Sequence, residues 1–204
     1  MTQRSFSTSK DPKQAIITLH GFTGNVSSME PVARALNIKN VNWFFLQGPF
    51  TISKGKYSWF GGNEQTGWKY KSSFDKLNKA ILSLNKQGFP NEMIYILGFS
   101  QGACLAMEFI IRQKYSIGGV IPIAGFIGNK NRFRNGINCE KPNTPILLIH
   151  GDKDEVVIPE ESVMAHGLFS EVGFRVELHT LSVGHKVPIK AKKIIEDFIY
   201  KNQG

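Results

Sequence analysis

The residues best suited to chemistry lie in the run Gly98-Phe99-Ser100-Gln101-Gly102. Met93 to Phe99 (MIYILGF) reads as a buried strand, short and apolar after its start. Ala103 to Gln113 (ACLAMEFIIRQ) reads as a helix apolar on most faces and therefore enclosed in the core. A serine at such a strand-to-helix junction, with glycine two positions to either side, is a nucleophile elbow. The turn is tight enough that side chains at the flanking positions would clash, and the following helix start favours developing negative charge. The expected chemistry is nucleophilic attack by the Ser100 hydroxyl.

A serine hydroxyl is a poor nucleophile until a base takes its proton. Of the five histidines, His185 in Val183-Gly184-His185-Lys186 falls in the loop between the last strand and the last helix. Its chain order after the serine suits the base. His20 and His150 end strands and read as structural or site-wall residues. His166 lies inside a helix and His179 inside a strand, where a satisfied, partly buried ring is the ordinary case. A carboxylate has to orient the base. The turn His150-Gly151-Asp152-Lys153-Asp154-Glu155 offers Asp152, Asp154 and Glu155, and their spacing does not choose among them. The oxyanion of a tetrahedral intermediate needs fixed N–H donors. The expected pair is the backbone of Gln101 and that of Phe22 in the turn His20-Gly21-Phe22-Thr23-Gly24.

These groups need a frame. Apolar runs at Gln14 to His20, Val41 to Gln47, Gly119 to Ala124, Pro145 to His150 and Phe174 to Leu181 read as further strands. Helical patterns cover Ser72 to Gln87, Pro159 to Val172 and Pro188 to Lys201. Near-continuously apolar strands alternating with helices predict an α/β fold with a mainly parallel sheet covered on both faces. In such sheets sites form outside the carboxyl ends of the strands, where each candidate catalytic residue falls. The 204 residues suit one domain spanning 1–204, without a large cap.

Several segments then resemble a known family. L-H-G-F-T-G, G-F-S-Q-G, H-G-D-K-D-E-V-V and G-H-K-V resemble the phospholipase/carboxylesterase family of α/β-hydrolases, which includes acyl-protein thioesterases. Gln47-Gly48-Pro49, Tyr57-Ser58-Trp59-Phe60 and Ala124-Gly125-Phe126 look like further motifs of that family. The matches run in the family's order from about Gln14 to Val187. The resemblance implies Ser100 as nucleophile, Asp154 rather than Asp152 as the acid, His185 as base, and Phe22 and Gln101 as oxyanion donors. It implies carboxylic ester or thioester hydrolysis without a cofactor, acting on a small ester or acyl substrate. Three positions depart from the pattern: Gly61 replaces an aspartate, Ile158 is an extra residue before Pro159, and Ala103 stands where glycine is common. None is a catalytic position.

Two loops, Phe50 to Lys71 and Phe126 to Thr144, are expected to line the pocket, with Trp59, Phe60 and Phe126 as substrate-binding residues. Tyr57 and Trp68 read equally well as site wall or as a small satellite core.

Composition excludes several classes. No apolar run is long enough to span a bilayer, and the start MTQRSFSTSKDPK lacks a secretory core. Cys104 and Cys139 form no disulfide framework, which fits a reducing, cytoplasmic setting. No close metal-ligand spacing or Gly-rich phosphate loop is present. The net charge of +9 is spread along the chain, with Lys186, Lys190, Lys192 and Lys193 densest on the terminal helix. No basic segment interleaves with aromatics, so nucleic acid is not the expected partner. The charge allows weak contact with a membrane surface, and a lysophospholipase-like enzyme acting there is the alternative reading. A non-catalytic hydrolase-fold binding protein is the remaining one. Oligomeric state is not encoded in any feature of the chain.

Overall fold

A computed structural model describes residues 4–62, 67–137 and 143–201. Seven strands form one sheet in the order β1-β3-β2-β6-β7-β8-β9. These are β1 (Arg4–Ser7), β2 (Gln14–Leu19), β3 (Val41–Leu46), β6 (Ile94–Phe99), β7 (Gly119–Ile123), β8 (Ile146–Gly151) and β9 (Val176–Leu181). Only β1 runs antiparallel to its neighbour; every other pairing is parallel. Two further strands, β4 (Phe50–Ser53) and β5 (Lys56–Ser58), make a separate antiparallel hairpin.

Side chains alternate across a strand, and here the alternation sorts the core into two layers. Ala15, Ile17 and Leu19 of β2 face α2 (Lys71–Lys86), α3 (Gln101–Ile110) and α5 (Glu160–Glu171). Ile16, with Trp43 and Phe45 of β3, faces α1 (Glu30–Leu36) and α6 (Lys192–Lys201). The strands are therefore covered on both faces, which is why they are apolar almost without interruption. All ten residues of α3 are buried, as its all-round apolar sequence implies.

The order places β2 next to β6, with the chain stepping outward to β3 on one side and to β7 on the other. That is the topological switch of an open parallel sheet, and the crevice at its carboxyl end is the ordinary place for a ligand. The loops following Leu19 and Phe99 both open there.

Four elements go beyond the sequence reading: β1, α1, the β4–β5 hairpin, and α4 (Lys130–Asn135), which lies in the second expected pocket loop. The hairpin occupies the first. Residues 63–66 and 138–142 of those loops, with Cys139, lie outside the described residues.

Candidate active site

Ser100 stands between β6 and α3 with φ 52° and ψ −115°, a conformation that non-glycine residues rarely adopt. Its flanking glycines are required by space. A Cβ on Gly98 would lie 2.4 Å from the Gly102 carbonyl oxygen, and one on Gly102 would lie 2.3 Å from that of Leu19. The Ser100 amide donates to the Ile123 carbonyl at 2.9 Å, tying the elbow to β7.

Three sequence-distant side chains meet at this turn. His185 Nε2 is 3.1 Å from Ser100 Oγ, and His185 Nδ1 is 2.7 Å from Asp154 Oδ2. Asp154 is buried, whereas Asp152 and Glu155 are exposed. Its second oxygen accepts the Val156 and Val157 amides at 2.9 and 3.0 Å. Burial by itself would raise the Asp154 pKa. The bonds from Val157, His185 and Val156 outweigh that and hold it below the ordinary carboxylate value. An ionised Asp154 only accepts, so Nδ1 of His185 carries the ring proton and Nε2 is left to accept from the serine hydroxyl. The arrangement can move a proton from Ser100 to His185.

The backbone fixes these distances. The Asp152 amide donates to Leu181 O at 2.9 Å and the Lys153 amide to Val183 O at 3.1 Å, joining the acid turn to the histidine loop. The Phe99 ring packs against His185 with centroids 4.9 Å apart. His150 lies buried behind Asp154: Nδ1 is 2.5 Å from Ser162 Oγ, Nε2 is 2.8 Å from Val157 O, and Nε2 is 3.4 Å from Asp154 Oδ2.

The opposite side is formed by the turn after β2. A Cβ on Gly21 would lie 3.6 Å from Ser100 Cβ, so this turn runs close beside the serine. The Thr23 amide is taken by Tyr57 O at 2.9 Å. Among the described residues, neither the Phe22 nor the Gln101 amide has a protein acceptor. The latter is the first amide of α3, which no intrahelical carbonyl can reach.

His20 holds this turn from below. Its Nδ1 meets Gly21 O at 2.8 Å, its Nε2 accepts the Gly48 amide at 3.1 Å, and its ring lies 4.8 Å from that of Trp59. Since Nε2 accepts, the proton sits on Nδ1 and the ring is neutral. Burial lowers its pKa to about 4; the Gly21 bond opposes this, and the nearby Lys76 charge adds to it.

Two of the three aromatic residues expected to bind substrate, Trp59 and Phe60, are placed differently. The Trp59 side chain has no exposed surface, and its indole N–H donates to His20 O at 2.7 Å. The Trp59 amide donates to Gln101 Oε1 at 3.0 Å, and Gln101 Nε2 donates to Ser58 Oγ at 2.8 Å. Phe60 is buried against Trp68 and Tyr70. Phe126 is partly buried, with its amide on Cys104 Sγ at 3.4 Å. Trp59 and Phe60 thus belong to the core that ties the hairpin to α3 and the turn after β2. A cleft of about 350 Å³ beside His185 is lined instead by residues such as Phe22, Met29, Val32, Phe99 and Val187. Of these, sequence reasoning singled out Phe22 for its amide alone. Val32 had no signal in the sequence, because Glu30–Leu36 is too short to show a helical period.

Among the described residues no group of histidines, cysteines and carboxylates is arranged to hold a metal ion. Nor is any helix long and apolar enough to cross a membrane.

Sheet order, elbow and the serine–histidine–aspartate contact define an α/β-hydrolase. The chain belongs to the phospholipase/carboxylesterase family, which it matches over residues 3–203. It is 29% identical over 198 residues to acyl-protein thioesterase 1 of Debaryomyces hansenii, covering 87% of this chain and 85% of that protein. It is 30% identical over 187 residues to acyl-protein thioesterase 1 of Candida albicans, covering 80% of each. Carboxylesterase SOBER1 of Arabidopsis thaliana is 26% identical over 202 residues, covering 90% of this chain and 88% of that protein. The crystal structure of SOBER1 shares the fold with a TM-score of 0.80 at 24% identity, covering 94% of this chain and 99% of that one.

Proposed function

We propose that this protein hydrolyses carboxylic esters, and thioesters by the same route, through an acyl-serine intermediate. The observation that carries the reading is the continuous contact Ser100–His185–Asp154. Ser100 Oγ attacks the carbonyl carbon as its proton passes to His185 Nε2. Asp154 keeps the ring in the tautomer that can accept and balances the charge it gains. The carbonyl oxygen, now an oxyanion, takes hydrogen bonds from the unoccupied Phe22 and Gln101 amides. The carbon–oxygen or carbon–sulfur bond then breaks, and His185 returns the proton to the leaving atom. Water repeats the sequence to free the acid and regenerate Ser100. Every step uses side chains and amides of the chain itself. Membership of a family whose relatives are named as carboxylesterases and acyl-protein thioesterases supports the same reading. Two cysteines without a disulfide framework suit a reducing, cytoplasmic setting.

The test is labelling with a fluorophosphonate, which esterifies an activated serine. The wild type is expected to be labelled and to turn over activated esters, and Ser100→Ala to do neither while keeping its fold. Equal labelling of both proteins would overturn the assignment.

A further inference from the structure

We infer that the cleft beside His185 receives the leaving-group side of the substrate, and that the leaving group it accepts is apolar. The inference rests on the acyl-serine reading above and adds the identity of one half of the substrate. When the acyl bond to Ser100 forms, the bond from the carbonyl carbon to the leaving oxygen or sulfur breaks. The electron pair goes to that atom, and the proton that His185 took from Ser100 goes there too. The atom that receives it has to lie within hydrogen-bond reach of His185 Nε2. The Nδ1 edge of the ring is closed by buried Asp154. His185 lines the cleft together with Phe22, Met29, Val32, Phe99 and Val187. Whatever is attached to the leaving atom continues into that space.

The walls specify its chemistry. The five side chains named beside His185 are apolar and make up most of the wall; Thr23 and Ser28 add two hydroxyls, and exposed Lys186 supplies a cation. Phe22 keeps 57% of its surface exposed and is adjacent in the chain to Gly21, where an added Cβ would lie 3.6 Å from Ser100 Cβ. A large apolar side chain left open beside a reacting centre gains by covering itself with an apolar group. At about 350 Å³, the cleft is near the lower end of small-molecule sites, which run from roughly 300 to 1,000 Å³. It suits an alkyl or aryl alcohol or thiol.

The experiment compares two ester series on one enzyme: acetates of alcohols from methyl to hexyl, and methyl esters of acids of the same lengths. In the alcohol series, kcat/KM is expected to rise about fourfold for each methylene buried, until the cleft fills. Val32 stands on α1 at the cleft wall and is only partly buried. Val32→Phe should fill the cleft and flatten the alcohol series, while dependence on acyl length keeps its wild-type slope. Val32→Ala should extend the alcohol series by a further carbon, which guards against a misfolded phenylalanine variant. A flat wild-type alcohol series, or a Val32→Phe variant that flattens the acyl series instead, would overturn the inference. Fluorophosphonate labelling on the same preparations separates the two claims. Labelled, active enzyme with a flat alcohol series removes the cleft assignment alone; unlabelled, inactive enzyme removes the acyl-serine reading beneath it.

Discussion

His20 gives the scaffold of the site a pH dependence that can be measured apart from catalysis. The ring is fully buried, donates from Nδ1 to Gly21 O and accepts the Gly48 amide at Nε2. A proton can only be added at Nε2, where it would face the Gly48 N–H and remove that bond. The folded-state pKa is accordingly lowered from 6.5 to about 4. In the window between those values the unfolded chain binds more protons than the folded one, so stability rises with pH and is lost as pH falls. At about 1.36 kcal/mol per pKa unit, the full loss is a little over about 3 kcal/mol, of which about 2 kcal/mol falls between about pH 7 and pH 4.5. His20→Gln keeps one donor and one acceptor but does not titrate. Urea unfolding across this window should therefore show the wild type losing about 2 kcal/mol more than the variant. Parallel stability curves for the two proteins would refute the reasoning and mean that the ring charges freely in the folded state.

Trp59→Ala should remove a fully buried indole, lower stability by about 3–5 kcal/mol and reduce activity equally for all acyl lengths, read by thermal unfolding and a chain-length panel. A selective loss on long acyl chains would instead return Trp59 to the substrate surface. Asp154→Asn should lower turnover by about ten-thousand-fold, whereas exposed Asp152→Asn should leave it within about twofold. The reverse ranking, measured in steady-state kinetics, would move the acid two residues back, to Asp152.

The sheet was legible because strands covered on both faces have to be apolar throughout, and Gln14 to Leu19 or Ile146 to Ile149 admit few other readings. The elbow was legible for a related reason: Gly98 and Gly102 approach backbone so closely that no Cβ fits, and that constraint is written directly in residue type. What stayed hidden depends on tertiary contact. In Arg4–Ser7 only Phe6 is apolar, and the strand exists because β3 pairs with it. Glu30–Leu36 is too short for helical periodicity to accumulate. The hairpin Phe50–Ser58 is held by two backbone bonds to the turn after β2, Thr23 N–H to Tyr57 O and Tyr57 N–H to Gly24 O. Aromatic side chains at 59 and 60 announce burial or binding alike; only the enclosed indole and its bond to His20 O decide for burial.

Each of the three positions where the resemblance implies a departure from the family pattern has a defined place beside the site. Ala103 brings a methyl group into a space where a Cβ on Gly125 would sit 2.7 Å away, so the methyl is accommodated by a glycine across the layer. Gly61 has no side chain to offer, yet its carbonyl still accepts the Lys69 amide at 2.9 Å and closes the loop at that point. Ile158 is the most instructive. The bonds that shape the acid turn end at Val157: Asp154 Oδ1 takes the amides of Val156 and Val157, and His150 Nε2 meets Val157 O. Ile158, which the resemblance implies is an extra residue, follows immediately after the last of these, with 53% of its surface exposed and before the first turn of α5. An insertion one or two residues earlier would have broken a carboxylate bond; at this position it lengthens only the solvent-facing rim.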